Sequence, residues 1–473
     1  MFGLKNIANF TQIFTQKFME IIPKKSLRDS KGVRWTALIV VSFMMLCGYY
    51  FNDMMAPLKG LLENQLSWTS SDYGIFTSGY GWFNVFLLML IIGGIILDKM
   101  GVRFTGTMAL ILMLCGACIK YWAVTTHMLD GYTFLNMKMQ VLTAGLGFAI
   151  YGVGVEVAGI TVSKTIVKWF KGKELALAMG MEMAMARIGT GIAMFVPLPL
   201  ALHFKLSTPI LLGIVLICTG TIAFIIYTFQ DRKLEKELAA VPQSEEEEGF
   251  KIRDIITIFT NRAWWFIAIL CVLFYSAVFP FLKFATDLMI QKFHVDPNLA
   301  GTIPALLPFG TILLTPFFGN LYDRRGKGAS IMMLGSFMLV CIHGIFSIPF
   351  LDFWWVAVLL VLTLGVAFSL VPSAMWPSVP KIIPEKQLGT AYSMIFWVQN
   401  WGLMGVPMLI GWVLDKYCLH KELVDGTMQN RYNYTLPMLI FTCFGILAML
   451  FAWLLKKEDA RKKYGLELPN IKK

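Results

Sequence analysis

Charge is what this chain has least of. Only 15% of its 473 residues are Asp, Glu, Lys or Arg, against about 25% in an ordinary soluble domain. Acids are scarcer still, at 29 against 41 bases. A soluble globular protein is thereby excluded. The basic run G-x-x-x-x-G-K-[ST] of nucleotide-binding loops is missing, which argues against ATP as an energy source. Histidines number five, and the eight cysteines hold a single C-x-x-C, Cys115 to Cys118. Seven of the eight fall in apolar stretches, where cysteine acts as a small hydrophobe, so neither a metal site nor a disulfide framework is expected. No nucleophile, base or metal constellation supports an enzyme, and no cofactor is implied. Residues 1–34 carry no continuous apolar core of the kind a cleavable signal requires. Apolar residues at helical spacing from Phe10 to Ile22 suit a surface-lying helix or a solvated tail equally.

What is present is apolar. Hydrophobic residues make up 57% and aromatics 14%, and runs long enough to cross a bilayer recur throughout. Twelve spans are expected, at 35–62, 72–97, 104–126, 138–163, 175–199, 208–229, 263–290, 299–322, 329–350, 354–380, 389–413 and 435–456. This is an all-α membrane protein. Placing the N-terminus in the cytoplasm puts 31 of the 41 Lys and Arg in inward-facing segments and six outside, while Lys59, Lys120, Arg187 and Lys283 lie within spans. The net charge of +12 is then a topology signal and an attraction to anionic lipid, not a mark of nucleic-acid binding.

A repeat sets the architecture. Gly94-Ile-Ile-Leu-Asp98-Lys99-Met-Gly101-Val-Arg103 follows the second span, and Gly319-Asn-Leu-Tyr-Asp323-Arg324-Arg-Gly326 follows the eighth, at one constant offset. The organisation reads as a tail over 1–34, a six-helix half over 35–229, a charged linker over 230–262 with the acidic run Glu245 to Glu248, a second half over 263–456, and a tail over 457–473. Two six-span halves about a linker suit rocking half-transporters. Asp98, Arg103, Asp323 and Arg324 are gating candidates, since an acid and a base at the inner end of a helix can pair across the seam between halves.

Two charges stand out against this background. Glu156 and Arg187 each lie well inside an apolar span, where an unpaired charge costs several kcal/mol. At about 1.5 Å of rise per residue their depths differ by about 6 Å, and the ends of an extended dipeptide are about 6–7 Å apart. A carboxylate and a guanidinium on neighbouring spans suit a small zwitterion; direct pairing to keep each other buried is the structural alternative. Weaker candidates near the midplane are Tyr49, Tyr50 and Asp53 on the first span, and Trp376, Tyr392, Trp397, Gln399 and Asn400 in the second half. Lys283 and Asp287, four apart on the seventh span, read as an intrahelical pair, and His343 as a packed, hydrogen-bonded histidine.

The paired G-x-x-x-D-[RK]-x-G segments resemble the loop signature of the major facilitator superfamily. The stretches Trp169 to Gly189, Ala277-Val-Phe-Pro-Phe281, Trp376-Pro-Ser, Ile383 to Tyr392 and Gln399-Asn400-Trp-Gly402 resemble more narrowly the family of major facilitator superfamily domain-containing protein 1. That resemblance implies a dipeptide transporter working by alternating access, with Glu156 and Arg187 holding the two ends of the substrate. The expected partners are a dipeptide and membrane lipids, with protons as a candidate coupling ion; an accessory subunit leaves no mark in the chain. Competing readings are an organic-anion transporter of the same superfamily, anchored by Arg187 with Glu156 as its proton site, and a non-transporting membrane receptor. A bacterial inner membrane is the preferred location, and a lysosomal membrane if the source is eukaryotic.

Overall fold

The computed structural model describes residues 27–170, 174–239, 252–384, 387–424 and 427–470. Phe10 to Ile22, read as either a surface-lying helix or a solvated tail, and the acidic linker run lie outside these residues.

Helices dominate because the chain must satisfy its backbone groups internally wherever lipid replaces water. Among the described residues, eleven helices are long and apolar enough to cross a membrane. The second crossing is the twelfth, and it is broken. Thr69 caps Ser70–Phe86 through a reciprocal capping box with Asp72; Leu88 then takes a left-handed conformation and the chain re-enters helix at Met89. The helix Met89–Thr125 contains non-helical Gly101, at φ 75° and ψ 173°. Gly101 therefore makes the turn between the second and third crossings, which glycine tolerates without steric cost. The first crossing runs from Lys31 to Leu66 but is interrupted after Asp53, because Pro57 offers no amide hydrogen; a 3-10 turn and a separate helix, Lys59–Leu66, complete it. The remaining crossings are Met139–Phe170, Leu175–Phe195, Thr208–Ala239, Arg262–Gln291, Thr302–Arg325, Gly328–Phe346, Trp354–Ile382, Leu388–Val413 and Thr435–Lys462. The sixth and twelfth run several residues beyond their apolar stretches on charged, helix-forming residues. An antiparallel hairpin, Leu419–Val424 with Thr427–Tyr432, joins the last two.

The halves meet on the side opposite the basic loops, here called outer. The second span crosses the eleventh so closely that a side chain at Gly74 would place its Cβ 2.5 Å from the Pro407 carbonyl oxygen. Two ion pairs reinforce this seam: Lys59 Nζ to Asp287 Oδ2 at 2.9 Å, and Lys283 Nζ to Asp53 Oδ1 at 2.7 Å. The Lys283–Asp287 pair expected within the seventh span is thus replaced by two pairs across the seam. Each residue finds a buried partner on the first half, and Tyr434 and Gln291 donate the remaining hydrogen bonds to Asp287. Asp415 accepts the Ser70 and Ser71 backbone N–H groups at the start of the second span. Among the described residues, the hydrogen bonds and ion pairs resolved between the halves lie at the midplane or outside it, the innermost being Trp397 Nε1 to the Val85 carbonyl at 3.0 Å. The space between the halves accordingly opens inward.

Candidate functional site

Glu156 is the one residue between Tyr151 and Ala158 that keeps partial exposure. The fourth span buries its small residues: Gly152 and Gly154 press against the backbones of the second and third spans. That packing fixes the helix and leaves the glutamate facing the space between the halves. Tyr80 of the second span donates its hydroxyl hydrogen to Glu156 Oε1 at 2.5 Å. Asn400 of the eleventh span is its other polar neighbour, and its Oδ1 is buried without a partner. One carboxylate thus touches both halves.

Arg187 is held differently. The fifth span packs Gly189 against Leu46 of the first and Gly191 against Phe309 of the eighth. Between these contacts the guanidinium projects onto aromatic faces of the second half, 5.0 Å from the Phe368 ring centroid and 5.8 Å from that of Phe279. Stacking on rings leaves the planar edge and its N–H donors available, as a carboxylate ligand requires. No ion pair joins Glu156 to Arg187 in this inward-open arrangement, so the two charges are not simply neutralising one another.

The other sequence candidates separate into groups. Tyr49 is half-buried and lies within electrostatic reach of Glu156, Arg187, Glu182 and Asp53, which places it at the site. Tyr50 turns the opposite way, its ring against Gly213 of the sixth span, inside the first half. Asp53 belongs to the outer seam, where Thr190, Asn52 and Lys283 all hydrogen-bond it. Trp376 stacks on Phe396 at 4.9 Å and donates to the Tyr275 hydroxyl, while Tyr392 donates to the Trp376 carbonyl. Together they wall the second half's side of the space. Trp397 is a seam residue, and Gln399 turns toward Cys271 of the seventh span.

The loop candidates do not meet across the seam. Asp98 pairs with Lys164 at 2.6 Å and Arg103 pairs with Glu235, both within the first half. Asp323 accepts from the Asn470 side chain and backbone, within the second half, and the structure gives Arg324 no role. An inward-open molecule separates these ends, so Asp98, Arg103 and Asp323 find local partners.

Sequence reasoning missed Tyr80, Tyr275, Phe279 and Phe368, because an aromatic residue in a span is ordinarily packing and carries no charge to single it out. It also gave no role to Lys120, which is fully buried beside the Phe51 ring at 3.9 Å and the Phe148 ring at 4.7 Å and makes no ion pair among the described residues. His343 donates its Nε2 hydrogen to the Ala277 carbonyl oxygen, 2.9 Å away, as a packed histidine should.

The profile of the Major Facilitator Superfamily matches residues 38–407. The chain belongs to that superfamily. It is a multi-pass membrane transporter. Among curated proteins it is similar to the lysosomal dipeptide transporter MFSD1 of Danio rerio, 28% identical over 449 residues that cover 92% of this chain and 89% of that protein. MFSD1 of Mus musculus is 29% identical over 80% of each chain, and that of Homo sapiens 28% identical over 81% of this chain and 80% of its own. These relatives are vertebrate and named lysosomal, so they lend nothing to the preference for a bacterial membrane. Solved structures confirm the fold. The nucleoside transporter NupG aligns with a TM-score of 0.65 at 14% identity, over 90% of this chain and 99% of that one. A bacterial homologue of the lysosomal transporter Spinster, in an inward-facing and occupied conformation, aligns at 0.68 with 11% identity, over 90% and 98%.

Proposed function

We propose that this transporter carries dipeptides, or similar small zwitterionic amino acid derivatives, by alternating access. One observation carries the reading: an acid and a base stand on two spans of the first half, deep in the membrane and unpaired with each other, while the second half presents an amide to one and aromatic rings to the other. A substrate ammonium meets Glu156 and its carboxylate meets Arg187. Tyr80 orients the acid by its hydrogen bond. The rings at Phe279, Phe368, Tyr275 and Trp376 offer an apolar wall that accepts varied side chains without reading them. Because each terminus engages a group that the second half also touches, an occupied site draws the halves together on the inner side, and release frees them. The similarity to the MFSD1 relatives, which are named as dipeptide transporters, supports the same substrate class.

Blocking the termini tests this. N-acetylation of a good dipeptide removes the partner of Glu156, and C-terminal amidation that of Arg187. Each leaves a buried charge unsatisfied, at a cost of about 2–5 kcal/mol, or tens- to thousands-fold in affinity. Glu156→Gln should blunt the penalty for acetylation specifically. Equal binding of the free, acetylated and amidated dipeptides by the wild type overturns the assignment. Loss on amidation alone favours an organic anion held by Arg187.

A further inference from the structure

The fifth span carries a second charge that the two-ended reading leaves over. Glu182 precedes Arg187 by five residues, about 7.5 Å nearer the inner side along the helix axis. It is half-buried, its charge reaches Arg187 and the Tyr49 hydroxyl, and it makes no hydrogen bond or ion pair among the described residues. The space between the halves therefore holds two carboxylates, Glu156 and Glu182, and one guanidinium, Arg187. A neutral dipeptide answers Glu156 and Arg187 and leaves Glu182 facing low-dielectric surroundings without a counter-charge, which is costly.

We propose that Glu182 is a specificity-determining residue that receives a cationic side chain of the substrate, making dipeptides that contain lysine or arginine the preferred cargo. This rests on the dipeptide reading and extends it. Such a ligand brings two cations and one anion, the complement of the site's two anions and one cation. Reach is adequate: the five bonds from the lysine Cα to its ammonium advance about 6 Å when extended, comparable with the axial separation of Glu182 from Arg187. The hydrophobic stem of that side chain would run beside Met183 and the aromatic wall, where long aliphatic stems pack well.

The experiment compares alanyl-alanine, lysyl-alanine, alanyl-lysine and glutamyl-alanine, by ligand-induced thermal shift and by counterflow in proteoliposomes, on wild type, Glu182→Gln and Glu182→Lys. In the wild type the better lysine-containing dipeptide should bind at least about tenfold tighter than alanyl-alanine. Glu182→Gln should collapse that preference to within about twofold, with alanyl-alanine binding retained or tightened because the stranded carboxylate is gone; a cooperative melting transition of the ligand-free variant is the control for folding. Glu182→Lys should turn the preference toward glutamyl-alanine. Wild-type binding of alanyl-alanine without preference for lysine overturns the inference and leaves the dipeptide reading standing. An equal loss for every dipeptide in Glu182→Gln, accompanied by an altered pH dependence of uptake, also overturns it and makes Glu182 a proton site. Failure of all dipeptides to bind the wild type defeats both.

Discussion

At the scale of single residues, the candidate site was legible at two of its charges, Glu156 and Arg187, and not at Glu182. Glu156 and Arg187 announce themselves because a charge inside an apolar span needs a reason. Tyr80, which holds the Glu156 carboxylate, gives no comparable signal, since nothing in its apolar context distinguishes a ligand from packing. Asp53 shows the converse: its charge was visible, but its partner Lys283 lies 230 residues away in sequence, and only the fold shows that the two lock a seam instead of lining a cavity. The way Arg187 is held leads to a prediction. Arg187→Lys keeps the charge but loses the planar face that rests on Phe368 and Phe279 and the fork that grips a carboxylate. Counterflow of a good dipeptide should fall at least about tenfold, with the melting temperature of the free protein nearly unchanged, because among the described residues Arg187 makes no ion pair that the exchange would break. A variant that transports at the wild-type rate would show that a point charge suffices.

At the scale of elements, hydropathy located the crossings and misplaced their breaks. The first span runs past 62 as expected, yet Pro57 interrupts its helix after Asp53, and Lys59 of the helix that follows reaches the seventh span. A break at Leu87 and Leu88 leaves no compositional trace, because both residues are as apolar as their neighbours. The closest packing falls at glycines, which hydropathy does not mark. Gly74, on the second span, touches the eleventh through bare backbone, and a leucine there cannot be accommodated by a rotamer change alone since the clashing atom is the Pro407 carbonyl oxygen. Gly74→Leu should wedge the outer seam apart and move the resting population toward outward-open. Pulsed spin-label distances between the outer ends of the second and eleventh spans should lengthen, while those at the inner ends shorten. Distances identical to wild type in a folded variant would mean that this close approach does not govern the equilibrium.

At the scale of the whole molecule, the inward-open state is held by two ion pairs of opposite sense. The first half contributes a base, Lys59, and an acid, Asp53; the seventh span answers with Asp287 and Lys283, one helical turn apart. To open outward, the molecule must break both, and each leaves buried or half-buried charge behind. The latches are not equivalent. Lys59 is fully buried and shared between Asp287 and Glu63, so removing it strands two acids and threatens folding. Lys283 is partly exposed, and after its loss Asp53 keeps the Thr190 hydroxyl and the Asn52 amide. Lys283→Gln is therefore the cleaner probe of the latch. Breaking a buried pair costs about 3–5 kcal/mol at most, and a bias of about 3 kcal/mol moves a two-state population by roughly a hundredfold. The outer-end distances of the first and seventh spans should shift toward a longer, outward-open population in Lys283→Gln. Asp53→Asn combined with Lys283→Gln should keep that shift and recover thermal stability, because the stranded carboxylate is gone. Exchanging the charges, Asp53→Lys with Lys283→Asp, should draw the distances back toward those of the wild type. A Lys283→Gln protein whose outer distances match the wild type would place the barrier to opening elsewhere, in the glycine-lined contact of the second and eleventh spans.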